Sequence, residues 1–137
     1  MKSQVGPSFG NNFNNRTEEA VGSSVDFWLA YRERALGAHQ PWLGYFLMVE
    51  ETGGSTRDVS VSSPLFPALP AFTDPPNPSY ARRYEILCER LVLERNYNAA
   101  AFLLSPRLAD GRYREPNAEL TVAHFVRSLY GHLIACG

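Results

Sequence analysis

Lysine is almost missing from this chain: of thirteen basic residues, twelve are arginine and only Lys2 is lysine. Cysteine is nearly as scarce. Cys88 and Cys136 form no paired framework and stand at no metal-ligand spacing, which excludes a disulfide scaffold and fits reduced thiols in a cytoplasm. No long apolar run exists. Tyr45-Phe46-Leu47-Met48-Val49 is among the longest, far short of the roughly 20 residues that cross a bilayer as a helix. The N-terminus carries no basic segment leading into an apolar stretch, so no secretory signal is visible. A charge excess is missing too: the formal net charge of −1 does not advertise nucleic acid. It does not exclude it, because what matters is whether arginines gather on one face. There is no GxGxxG or Walker-type loop. His39, His124 and His132 have no zinc spacing and read as surface or packing residues. Neither cysteine has a catalytic partner in the sequence, and Cys88 reads as core.

Set against these absences, hydrophobic residues make up 45% and aromatic residues 12% of 137, the balance of a globular chain. A chain of this length makes one domain and buries about two-thirds of its unfolded surface. Residues 2–5 read as the end of a strand, and residues 6–15 as a loop broken by Gly6, Pro7 and Gly10. A helix is predicted from about Arg16 to Leu36, with Asn15 as cap, Glu18 completing a capping box and Gly37 closing it. Its buried stripe is predicted as Ala20, Val21, Ser24, Val25, Trp28, Tyr31 and Ala35. Residues 43–50 suit a central strand covered on both faces. Gly53-Gly54 reads as a turn, with Val59 and Val61 in a weak edge strand. The six prolines between 64 and 78 make an irregular connection whose Leu65, Phe66, Leu69 and Phe72 hold it against the body. A second helix is predicted from the cap Ser79 to about Asn96, with Tyr84, Leu87, Cys88, Leu91 and Val92 inward. Residues 99–105 read as a short buried strand. A final helix from about Thr121 is predicted to bury Val122, Phe125, Val126, Leu129 and Leu133. Strand-helix-strand-helix-strand-helix is the alternation of an α/β sheet with right-handed crossovers.

Certain stretches are more specific. Lys2-Ser3-Gln4-Val5-Gly6-Pro7-Ser8-Phe9-Gly10-Asn11-Asn12-Phe13-Asn14-Asn15-Arg16-Thr17-Glu18-Glu19-Ala20 resembles the type II restriction endonucleases of the XhoI family. Asp26 to Glu33, Ser79 to Cys88 and Gly111 to Pro116 continue the likeness. It extends over nearly all of the chain but over only the C-terminal part of such an enzyme. The resemblance implies a PD-(D/E)xK nuclease fold, in which carboxylates on two adjacent strands hold Mg²⁺ and a lysine stands beside the scissile phosphate. Lys2 is then the lysine of that motif and Met1 its variable position. The acidic residue is expected one position upstream of Met1 and the aspartate further back, because the only lysine leaves no other Asp/Glu-x-Lys. The chain therefore reads as a single partial domain, residues 1–137, truncated within the catalytic motif and inactive alone. Half a sheet is expected to expose apolar edges and to associate.

Beside Lys2, Gln4 points to the same sheet face. It reads either as a ligand of the scissile phosphate or a metal-bound water, or as a strand-end amide. Glu19 reads either as a late metal ligand or, with Glu18, as first-turn acid favoured by the helix dipole. Asn11, Asn12, Asn14, Asn15 and Arg16 sit where a loop meets a helix start, suited to phosphate or base contact, with a capped polar turn as the alternative. Arg112 and Arg114 flank Tyr113 and read either as DNA contacts or as surface charge. Arg82 and Arg83 pair either with an anionic partner or with neighbouring acids. By resemblance, the enzyme cleaves double-stranded DNA with Mg²⁺ at a palindrome of the CTCGAG type. It is expected to act as a homodimer in a bacterial or archaeal cytoplasm, alongside a cognate methyltransferase. The alternative is a non-catalytic DNA-binding remnant.

Overall fold

A computed structural model of the chain describes residues 1–59, 77–107 and 110–136. Three strands, β1 (Lys2–Gln4), β2 (Gly44–Glu50) and β3 (Ala99–Ser105), form a parallel sheet in that order. Lys2, Ser3 and Gln4 lie opposite Leu47, Met48 and Val49, and β2 runs in register with β3 from Gly44↔Ala99 to Glu50↔Ser105. The crossovers are α1 (Phe9–Arg32), between β1 and β2, and α3 (Tyr80–Leu93), between β2 and β3. Both pack on one face of the sheet. The core there joins Tyr45, Leu47 and Val49 of β2 and Ala100, Phe102 and Leu104 of β3 to Phe9 and Ala20 of α1 and to Tyr84, Leu87, Cys88 and Leu91 of α3. The other face meets α4 (Val122–Cys136), where Phe125 sets its ring edge-on to Phe46 and Trp42. The α/β alternation expected from the sequence is the architecture found among the described residues.

The first helix begins at Phe9 rather than Arg16, so the Asn-rich segment is helix and not loop. Two aromatic residues one turn apart explain the difference. Phe9 stacks on Tyr80 at 6.2 Å between centroids, and Phe13 meets Tyr84 edge-on at 5.2 Å. Burying those rings outweighs the poor helix propensity of asparagine, a few tenths to about 0.7 kcal/mol per residue. Asn15 therefore lies inside the helix and caps nothing, and Glu18 completes no capping box. Ser8 is the N-cap, without a side-chain bond. The inward stripe is Phe9, Ala20 and Ser24, with Trp28 and Tyr31 half-buried; Val21, Val25 and Ala35 are exposed, against expectation. At the far end Arg34 adopts a positive φ of 60°, which stops the helix before Leu36.

The second crossover follows its expected start, with Ser79 Oγ accepting from the Arg82 amide at 3.2 Å. It ends at Leu93 because Arg95 turns left-handed at φ 59° and the Tyr97 amide donates back to Leu91. Gly53-Gly54 opens one helical turn, α2 (Gly53–Thr56), through a Thr52–Ser55 capping box. Val59 is in no strand; its amide donates to the Asn77 carbonyl. Val61 and the proline-rich connection, apart from residues 77 and 78, lie outside the described residues.

Burial of the strands also departs from expectation. In β2 the face toward α1 and α3 is buried while Phe46 and Met48 are half-buried, whereas β3 is buried along both faces from Ala99 to Leu104. β3 lies between α3 and α4, and β2 is covered by α4 only near Phe46. Gly44 is required for that contact: a Cβ there would collide with the rings of Trp42 and Phe125. None of the five residues expected to be buried in α4 is buried. Val122, Phe125 and Leu129 are half-buried, while Val126 is 53% and Leu133 59% exposed. One stripe of α4 touches the sheet, and the rest of its apolar surface faces outward. No described helix is long and apolar enough to cross a membrane.

This distribution predicts an uneven response to truncation. Phe102→Ala, at a fully buried ring, is expected to lower stability by about 3–5 kcal/mol. Leu133→Ala is expected to change it by no more than about 0.5 kcal/mol. Urea unfolding of both variants checks the difference.

Candidate active site

Lys2 stands on β1, on the face that α1 covers, since its register partner Leu47 points into the core. Its Nζ lies 3.2 Å from Oε2 of Glu19, and the same oxygen accepts from Nη1 of Arg16 at 2.8 Å. Arg16 and Glu19 are one turn apart on α1, so the helix delivers a cation and an anion together to the edge strand. The salt-bridged side chains of Lys2 and Glu19 are 46% and 45% exposed, against 24% for Arg16. Gln4 follows on the same face of β1. It is buried, and its Nε2 donates to the Val5 carbonyl at 2.8 Å.

Beneath this cluster, among the described residues, two buried polar atoms have no hydrogen-bond partner, Nε of Arg16 and the hydroxyl of Tyr45. Tyr45 precedes Leu47 by two residues on β2 and so shares the face of Lys2. Burial raises the Tyr45 hydroxyl well above its ordinary range, with Cys88 and Tyr97 adding to the effect and the Arg16 charge opposing it. Tyr84, which donates to the Phe9 carbonyl, is pushed up to about 12 by burial, again against the pull of Arg16. Arg16 thus acts on one carboxylate and two phenols, a position that its place in an Asn-rich run did not suggest. Tyr45 carried no signal in the sequence beyond its place in the apolar run.

The remaining candidates fall in two places. Asn11, Asn14, Asn15 and Glu18 form the outward side of the first turns of α1 and are exposed, while Asn12 shares the half-buried side of Arg16. Arg112 and Arg114 lie in a loop fastened to the carboxyl end of β3. Leu104 and Arg114 exchange both backbone bonds, and Ser105 Oγ donates to the Arg112 carbonyl. Arg114 also pairs with Glu51, a residue the sequence did not single out. The start of α1 is tied to the same end of the sheet, where the Gly6 amide donates to Glu50 Oε2 at 2.9 Å. The loop arginines therefore stand at the carboxyl end of β3, the end of the sheet from which α1 also starts and where open α/β sheets take ligands. Lys2 lies opposite the middle of β2.

Arg82 pairs with the neighbouring acids Glu85 and Glu89, whereas Arg83 donates to the Pro78 and Val59 carbonyls and to no acid among the described residues. His124 is exposed beside Glu119, His39 is exposed, and His132 approaches Cys136. Cys88 is wholly buried, and burial raises its thiol, as in an inert core cysteine. Among the described residues, no group of three or more His, Cys, Asp or Glu side chains is placed to hold a metal ion.

A parallel sheet with two crossover helices on one face, where Lys2 of β1 meets Glu19 and Arg16 of α1, places the chain in the α/β class. Residues 1–115 match the model of a family described as Restriction endonuclease XhoI. The chain belongs to the XhoI restriction endonuclease family. It is 45% identical over 136 residues to the type II restriction enzyme BstVI of Geobacillus stearothermophilus, covering 97% of this chain and 59% of that protein. To the type II restriction enzyme XhoI of Xanthomonas vasicola it is 47% identical over 109 residues, 79% of this chain and 43% of that protein. A 67-residue stretch, 48% of this chain and 30% of the relative, is 54% identical to the type II restriction enzyme AbrI of Azospirillum brasilense. The chain thus spans about half the length of the first two relatives. No solved structure matches it.

The unpartnered phenol gives a test of the geometry. Because the folded state holds the Tyr45 proton more firmly than the unfolded state does, stability is expected to fall as pH rises above about 10, where the unfolded phenol ionises. Tyr45→Phe is expected to make that alkaline loss shallower. It is also expected to raise stability near neutral pH by about 1 kcal/mol, since it removes a buried hydroxyl without a partner. Urea midpoints across the pH range measure both effects.

Proposed function

We propose that this chain forms the lysine-bearing, DNA-contacting part of a type II site-specific deoxyribonuclease, which hydrolyses double-stranded DNA at a palindrome as a Mg²⁺-dependent homodimer in a restriction-modification system. The observation that carries this reading is Lys2, the sole lysine, held on an edge strand beside a carboxylate, in a chain of the XhoI family. In the proposal, Lys2 supplies a fixed cation to the phosphate oxygens on which charge builds during hydrolysis. Gln4 fixes the strand end from which Lys2 projects; its own contact with a phosphate or a nearby water requires its side chain to turn out from the Val5 carbonyl. Asn11, Asn12, Asn14, Asn15 and Arg16 on α1, with Arg112 and Arg114 at the carboxyl end of β3, contact the duplex.

The described residues around Lys2 do not by themselves fit Mg²⁺, which takes one or two carboxylates together with waters and substrate phosphate. Glu19 is the carboxylate paired with Lys2, and it already faces two cations. That observation favours, as a second reading, a chain that binds DNA without cutting it. Mg²⁺ remains the metal proposed for the cleaving enzyme.

A chimera in which this chain replaces the matching 59% of BstVI separates the two readings. It is expected to cut a duplex carrying the CTCGAG palindrome in the presence of Mg²⁺. Lys2→Ala in the chimera is expected to lower the cleavage rate by at least about 10²–10³-fold, the scale of losing one charge-stabilising donor, while site-specific binding persists in a gel shift. Unchanged cleavage in Lys2→Ala removes the lysine from the chemistry. Specific binding without cleavage in the unsubstituted chimera supports the second reading.

A further inference from the structure

We infer that Lys2 and Arg16 together form a phosphate-oxygen subsite, and that the Glu19 carboxylate occupies this subsite in the DNA-free protein. The inference rests on the DNA-cleaving reading above and deepens it. Two cations from different elements, an edge strand and a crossover helix, converge on the single oxygen Oε2 of Glu19 at 3.2 and 2.8 Å. Convergence of two donors on one oxygen at these distances is the geometry of an anion site. The carboxylate does not saturate it. A guanidinium has five N–H donors, Glu19 engages one terminal nitrogen, and the buried Nε of Arg16 has no partner among the described residues.

A phosphodiester has the same single negative charge as the carboxylate and two unbridged oxygens, so exchanging one for the other keeps the local charge and leaves an oxygen for each of the two cations. Release of Glu19 is cheap because its side chain is about half exposed, and a half-exposed carboxylate regains water as it turns away. Its helical position next to Glu18, which is exposed and carries the same charge, supplies a control for net charge alone. In this account Glu19 guards the subsite against adventitious anions and yields to the backbone of a bound duplex. It is a positioning residue for Lys2 and not a metal ligand in the free protein.

The single lysine makes the test direct, because protein labelled with ¹³C-lysine has one lysine side-chain signal. That signal is followed in residues 1–137 while inorganic phosphate is added to the unsubstituted protein, Glu19→Gln, Glu18→Gln and the double variant Arg16→Gln/Glu19→Gln. Glu19→Gln is expected to bind phosphate about ten-fold more tightly than the unsubstituted protein, since two partly exposed ion pairs, each worth several-fold, no longer compete. Glu18→Gln is expected to change the affinity less than two-fold, by charge alone. Adding Arg16→Gln is expected to abolish the gain. Circular dichroism melting confirms that each variant is folded, and Glu19→Ala replaces Glu19→Gln if the latter is not. Equal affinities in Glu19→Gln and Glu18→Gln, or no phosphate-dependent shift of the lysine signal in any variant, overturn the inference. Because no cleavage is measured, a failure here leaves the chimera result standing, and the reverse is equally true.

Discussion

The parallel pairing of β1 with β2 is the constraint on which the remaining geometry depends. β1 is only three residues long, and its register, Lys2 opposite Leu47 and Gln4 opposite Val49, decides which face each side chain takes. A slip of one residue would send Lys2 to the opposite face, away from Arg16 and Glu19. Packing joins the backbone ladder in fixing that register. The strand is held because α1 leaves its carboxyl end through Gly6 and Pro7 and inserts Phe9 into the core, where that ring is 4% exposed. Burial of one such ring is worth about 1.5–3 kcal/mol, whereas each half-exposed ion pair around Glu19 contributes at most about 1 kcal/mol. Apolar packing therefore places the polar cluster, and the ion pairs adjust its final geometry.

The same helix serves three purposes along its length. Its inward aromatics anchor β1, its flank presents the half-buried Arg16 and the exposed Glu19 to Lys2, and its outward side exposes Asn11, Asn14 and Asn15. Because these positions lie on one rigid helix, a duplex laid along the outward side stays at a fixed offset from the lysine. Membership of the XhoI family gives that offset a meaning, since the chemistry proposed for Lys2 and the contacts proposed for the asparagines then belong to one substrate. The loop carrying Arg112 and Arg114 approaches from the carboxyl end of β3, pinned by the backbone exchange with Leu104.

Much of this order was legible in the sequence. The apolar run at 43–50, the alanine-rich run at 99–105 and the cap at Ser79 each carry a local signal strong enough to survive folding. The start of α1 did not. Gly6, Pro7, Gly10 and four asparagines all read as loop by local preference, and only the contacts of Phe9 and Phe13 with Tyr80 and Tyr84, far away in the chain, turn the segment into helix. The outer surfaces of α1 and α4 are less covered than their helical period implies, for a related reason. A helical period shows which residues share a side, not how much of that side another element covers, so Val21, Val25, Val126 and Leu133 are exposed. In the candidate site, Lys2, Gln4, Arg16 and Glu19 were visible as residue types. Their meeting was not, because the pairing of Lys2 with Glu19 depends on strand register. The orphaned Tyr45 hydroxyl and the Arg114–Glu51 pair depend on tertiary placement, which no local pattern encodes.

In the proposed function, the one lysine of this chain faces DNA from β1. Acetylation by an amine-directed reagent, followed peptide by peptide in a mass spectrometer, reports on that side chain directly, with the Met1 amine resolved as a separate product. In the presence of saturating duplex carrying the palindrome, Lys2 is predicted to be protected, and a duplex with the palindrome scrambled is predicted to protect it less. Acetylation of Lys2 at the same rate with and without bound duplex would contradict the account.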